Sequence, residues 1–168
     1  MSYTEMFKVS EAGLVEEVAD FHNSWRGAML VWDNMAYLYL GQHAGLLMAR
    51  DAIDPVWDLA KRQDIPLAHR IVLMSTFDRV MVRRENLDRV IEAIETYAET
   101  FDPGTLLLQV KKLRELRNDR DCQAVCWNQT SECADAWWID EGEEGRPYDT
   151  ARDTGHWFLF DREWSWKW

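Results

Sequence analysis

Cysteine is scarce in this chain. Cys122, Cys126 and Cys133 are an odd number and too few to staple 168 residues, which excludes a disulfide scaffold and makes a reducing, cytoplasmic setting the expectation. Long apolar runs are missing too. The most apolar stretch, Ala28 to Leu40, is interrupted by Asp33 and Asn34 and falls short of the roughly 18 to 20 residues that span a bilayer, so no membrane contact is expected. Met1 to Val9 holds no basic region followed by an apolar one, so no secretion signal is expected. The chain has no internal repeat and no low-complexity segment. It also lacks a phosphate-cradling glycine loop, a metalloprotease helix, a nucleophile elbow and a dinucleotide fingerprint.

What remains reads as globular. Hydrophobic residues make up 47% and charged residues 29%, a balance that folds rather than staying disordered. At 168 residues one domain spanning 1–168 is the simplest organisation, large enough to bury its own core. Acid dominates, with a net charge of −11, but unevenly. Residues 1–60 hold nine acids and three bases, residues 61–120 ten acids and twelve bases, and residues 121–168 eleven acids and four bases. Clustered Lys and Arg are what phosphate contacts require, so nucleic acid is an unfavoured partner and a basic protein surface a favoured one.

Helical signals fill the first two thirds. Ser10 reads as a helix cap, followed by Leu14, Val15, Val18 and Phe21 at helical spacing. Ser24 reads as the next cap, opening a helix with Trp25, Ala28, Met29, Trp32, Met35, Ala36 and Tyr39 along one face, ending near Gly41 or Gly45. His22, Asn23 and Ser24 form a capping cluster at the junction. Asp54-Pro55, Pro66 and Asp102-Pro103 mark further helix starts. Between them, Glu85 to Phe101 carries the stripe Leu87, Val90, Ile91, Ile94, Tyr97, Ala98 and Phe101 with acids opposite.

Character changes near Asp121. Ala136 to Ile139 and His156 to Phe160 are aromatic runs bounded by turn residues, which predicts two short antiparallel strands joined by a long acidic loop over 141–155. Tyr3 to Val9 is a third strand candidate. The expected fold is therefore α+β: about six helices in a body over about 10–121, and a small aromatic-rich antiparallel sheet from the C-terminal third, about 122–168.

Four groups of residues are candidates for function. Trp164, Trp166 and Trp168 alternate, so an extended backbone puts three indoles on one face and Ser165 and Lys167 on the other. Buried indoles are common binding anchors, and with Tyr148 this trio is the expected partner-binding set. Cys122 and Cys126 would share a helix face and, with Cys133 and His156, offer a set of zinc ligands. Their spacing matches no common zinc knuckle, and three packed thiols are the alternative. Asp149, Arg152, Asp153 and His156 gather around the acidic loop, a place for acid–base chemistry or simple solvation. Lys111, Arg114, Arg117 and Arg120 line one helical face, to meet either nucleic acid or the acids of 85–101.

These features lead to one reading and two alternatives. The first is a small acidic binding protein, not an enzyme, which needs no cofactor and occludes a macromolecular surface as inhibitors, immunity-type proteins and phage counter-defence proteins do, or associates with itself. The second is a small enzyme or ligand binder using the acidic loop and His156, with zinc on the cysteines. The third is a subunit of a nucleoprotein assembly touching nucleic acid through 111–120.

Overall fold

A computed structural model describes residues 3–23, 26–130, 136–141 and 144–161. The fold is mixed α+β. In chain order its elements are β1 (Tyr3–Val9), β2 (Val15–His22), α1 (Ala28–Leu40), α2 (Ala44–Met48), α3 (Asp54–Asp58), α4 (Leu67–Met74), β3 (Val80–Arg83), α5 (Leu87–Ala98), α6 (Leu106–Asn118), β4 (Ala124–Thr130), β5 (Trp138–Glu141), β6 (Glu144–Pro147) and β7 (Trp157–Phe158). Five strands form one sheet in the order β2-β1-β4-β3-β7, and β5 and β6 form a separate hairpin. All pairings are antiparallel except β3 with β7. Among the described residues no helix is long and apolar enough to cross a membrane.

The sheet is apolar on both faces, which explains its sequence. Along β1 and β4, alternate residues Met6, Val125 and Trp127 enter the core under the helices. Phe7, Val9, Ala124 and Cys126 enter a second cluster on the opposite face, with Val15, Met81, Trp137 and Tyr148. A strand buried on both sides reads as a continuous apolar run rather than an alternation. That is why Val80–Arg83 and Ala124–Thr130 carry no strand signal that periodicity detects.

The helix expected after Ser10 is instead the turn and second strand of a hairpin. Ser10 N–H bonds Leu14 O at 2.9 Å, Gly13 N–H bonds Ser10 O at 2.9 Å, and Gly13 takes the left-handed conformation at φ +86°. The misleading spacing comes from a β-bulge: Phe7 pairs with Glu17 and Met6 with Ala19, leaving Val18 as an extra residue. An inserted residue turns a step of two into a step of three. Val15 thus packs on one sheet face, while Val18, Ala19 and Phe21 pack on the other.

Two other expectations change. Ala136–Ile139 and His156–Phe160 do not pair with each other: β5 pairs with β6, and β7 adds to β3 in parallel. Within the expected loop over 141–155, Glu141 ends β5 and Glu144–Pro147 form strand β6. The sheet is also not confined to the C-terminal third, since β1, β2 and β3 come from earlier in the chain. The composition change near Asp121 is not a structural boundary, because β4 lies between β1 and β3.

The remaining helices follow their signals. Gly41, at φ +71°, caps α1 with its N–H on Tyr37 O. Pro55 sits in the first turn of α3, and Pro66 immediately precedes α4. Asn23 ties the sheet to α6: its amide donates to Thr4 Oγ1 at 3.0 Å and its carbonyl accepts from Thr105 Oγ1 at 3.1 Å. His22 rests edge-on against Tyr3, 5.2 Å between ring centres. Ser24 and Trp25 lie outside the described residues.

Candidate functional site

The β5–β6 hairpin is assembled on the sheet face turned away from the helices. Consecutive strand residues point to opposite sides, and Trp137 and Trp138 divide accordingly. Trp137 is 1% exposed and Trp138 is 46% exposed. Trp137 Nε1 donates to Trp127 O at 2.9 Å, and its ring meets Tyr148 edge to face at 5.3 Å. Tyr148 hydroxyl bonds His156 Nδ1 at 3.0 Å, and His156 packs edge-on against Phe158. Burial pushes the His156 imidazole below its ordinary value, and the Arg79 guanidinium adds to the effect. The Tyr148 hydroxyl, whose own pKa burial raises, shares that hydrogen bond with His156 Nδ1.

Outside this anchor the hairpin is acidic. Asp140, Glu141 and Glu144 are all exposed, Asp140 on the face that carries Trp138 and Glu141 and Glu144 on the other. Arg146 is the cation between them, and it is occupied by Glu141 at 2.7 Å and by both oxygens of Asp153 at 2.7 and 2.8 Å. Those guanidinium bonds, with the Asp149 N–H, hold the Asp153 carboxyl well below the usual carboxylate range. The indole of Trp138 lies across Gly145, where a methyl group would collide with its nitrogen. Register explains the contact: Trp138 faces Pro147 across the hairpin, so Gly145 is its diagonal neighbour. The result is a half-exposed indole held over Gly145 on an acidic hairpin.

The other candidates fall out differently. Trp164, Trp166 and Trp168 lie outside the described residues, as does Cys133. Tyr148, expected as a partner anchor, is wholly buried between Trp137 and His156 and corrects that assignment. Cys122 and Cys126 are not on a helix. Cys122 belongs to the core under the helices and Cys126 to the cluster on the opposite sheet face. Burial pushes the Cys122 thiol up to about 11, and its Sγ donates to Ala124 O. Among the described residues no three of His, Cys, Asp and Glu gather closely enough to hold a metal ion. Asp149 and Asp153 are engaged in the loop itself, Asp149 accepting from the Ala151 N–H at 2.9 Å. The basic stripe of α6 meets carboxylates, Arg114 on Glu95 and Arg117 on Asp88 from α5, and Lys112 on Glu115 within α6.

Trp138 is not among the residues that the sequence singles out, because the aromatic run Ala136 to Ile139 does not itself say which of its adjacent indoles faces the sheet.

No protein-family model matches the chain, no curated protein matches it, and no solved structure matches it.

Proposed function

We propose that this protein is a binding module that works by covering a basic surface on a macromolecular partner, in the manner of an inhibitor or immunity-type protein. The observation that carries the reading is Trp138: a half-exposed indole fixed over Gly145, with exposed Asp140 on the same face of the hairpin and exposed Glu141 and Glu144 on its other face. An indole supplies a large, rigid anchor at low entropic cost. The hairpin's carboxylates, on a chain of net charge −11, steer a cationic partner toward it and raise the association rate. Trp164, Trp166 and Trp168 would extend the same contact.

The test is capture from native lysate by tagged protein, with mass spectrometry as the readout. Full-length protein is compared with Trp138→Ala, Gly145→Ala and a chain ending at Glu163. The expected result is one basic protein recovered near stoichiometry by the full chain and lost with Trp138→Ala, whose thermal midpoint stays near that of the parent. Gly145→Ala should weaken capture by displacing the indole. Recovery of the same partner by Trp138→Ala and by the shortened chain alike would reject the reading.

A further inference from the structure

The surface between α4 and α5 carries a groove that the hairpin contact does not use. It encloses about 230 Å³ and is lined by Leu67 and Ile71 of α4 and by Arg89, Glu92, Ala93 and Thr96 of α5. Ile71 and Ala93 are buried beneath it, while Leu67 stands 42% exposed at its side. That volume lies below the range of about 300–1,000 Å³ usual for small-molecule sites, so it suits a side chain or two rather than a free ligand.

The chain itself arrives at this groove. After β7 it turns, the Asp161 N–H donating to Phe158 O at 3.2 Å. Phe158 packs against the cluster on the sheet face turned away from the helices, whereas Phe160 packs against the core under the helices. The Arg89 guanidinium lies over the Phe160 ring, 3.8 Å from its centre, and the same side chain lines the groove. Arg83 Nε donates to Asp161 at 3.2 Å and fixes the point of exit. Residues 162–168, with Trp164, Trp166 and Trp168, follow directly and lie outside the described residues.

We propose that residues 162–168 seat their tryptophans in the α4–α5 groove of their own chain. Reach permits that occupant: seven extended residues span about 23 Å, and α5 from Arg89 to Thr96 is about 10 Å long. Tethering favours it, since a segment that starts at the rim is present at an effective concentration on the order of millimolar. Charge agrees with it. In a chain of net charge −11, residues 162–168 hold two bases, Arg162 and Lys167, and one acid, Glu163. α5 exposes Asp88, Glu92 and Glu95. Arg117 and Arg114 of α6 meet Asp88 and Glu95, so among the described residues Glu92, at the groove, is the acid left for Lys167 or Arg162. Covering the indoles also removes a large apolar patch from water. The seat belongs to the free protein. In the partner contact proposed above, on which this one step rests, the same indoles leave it, so groove and partner compete for one segment.

The experiment is methyl NMR of the purified full chain and of the chain ending at Glu163, each at two concentrations. The expected result is ring-current displacement of the Leu67, Ile71 and Ala93 methyl signals in the full chain, lost in the shortened one and equal at both concentrations. Cross-relaxation from an indole ring to the same methyls should accompany it in the parent protein, without any variant. Leu67→Glu, at an exposed position, should abolish that cross-relaxation to Ile71 and Ala93 with circular dichroism unchanged. Methyl signals that coincide in the full and shortened chains would overturn the proposal. So would a displacement that fades on dilution, which marks the segment of a second copy. Neither outcome touches the Trp138 contact, which capture by Trp138→Ala reads separately.

Discussion

Each described tryptophan for which an indole bond is seen has a specific acceptor, and those acceptors sort core from surface. Trp127 Nε1 donates to Gln109 Oε1, Trp137 to Trp127 O, Trp32 to Thr76 Oγ1 and Trp157 to Asp78 O. Removing Trp137 takes away the second cluster's largest member and leaves a void, which typically costs about 3–5 kcal/mol. Removing half-exposed Trp138 uncovers only Gly145 and its surroundings at the surface and should cost less, about 1 kcal/mol. Urea unfolding of the two alanine variants therefore should separate widely, with Trp137→Ala the unstable one. Gly104 is a second sensitive position. It sits at φ +55° against Arg26 O, where a Cβ has no room. Gly104→Ala should destabilise by more than about 1 kcal/mol, since both strain and collision oppose it. Residue by residue, the sequence was legible where one side chain has one job, as at Gly41 and Pro55. It was not legible at Trp138 or Tyr148, because which side of a strand faces inward depends on a sheet assembled from distant segments.

At the scale of elements, most helices and the strands β1, β5 and β7 were legible, whereas β2, β3, β4 and all the strand pairings were not. The α5 stripe of Leu87, Val90, Ile91, Ile94 and Tyr97 is the buried face found in the structure. Its helical period needs only local sequence to be seen. In β2 the bulge at Val18 disguised a strand as a helix. β3 and β4 carry apolar residues on both faces and so show no alternation at all. The sheet also contains a correctable flaw. Glu5 stands directly opposite Asp20 across the β1–β2 pair, whereas Lys8 stands opposite Glu16. Like charges so placed destabilise, and opposite charges stabilise by about 0.2–1 kcal/mol. Asp20→Lys should accordingly raise the urea midpoint modestly, and added salt should shrink the gain.

At the scale of the molecule, two imidazoles, buried His69 and half-buried His156, govern the response to pH near neutrality. His69 Nδ1 hydrogen-bonds the Tyr39 hydroxyl at 2.7 Å and packs among Tyr97 and Phe101, and burial lowers its pKa. His156 is lowered in the same sense. Unfolded, both return to the ordinary value of about 6.5, so the unfolded chain binds more protons in this range. Stability is thus fully present above about pH 6.5 and declines as pH falls through and below it. Asp64, Asp102, Asp121, Asp153 and Asp161, all lowered chiefly by hydrogen bonds to the charged form, extend the loss below about pH 4. Chemical unfolding between about pH 7 and pH 5 should show this decline, and His156→Gln should flatten it. A midpoint that rises on acidification would contradict the assignment of both rings as neutral.

The central position of β1 has a further consequence, one of timing. Its inner neighbour is β4, and Thr4 bonds Gln129 across 125 positions of chain. A ribosome adding about 5–20 residues per second takes on the order of ten seconds to cover that interval. Throughout it the newborn β1–β2 hairpin keeps an open strand edge on β1, and Phe7 and Val9 await Ala124, Cys126, Trp137 and Tyr148, so during synthesis this hairpin is the segment a nascent-chain chaperone would be expected to grip.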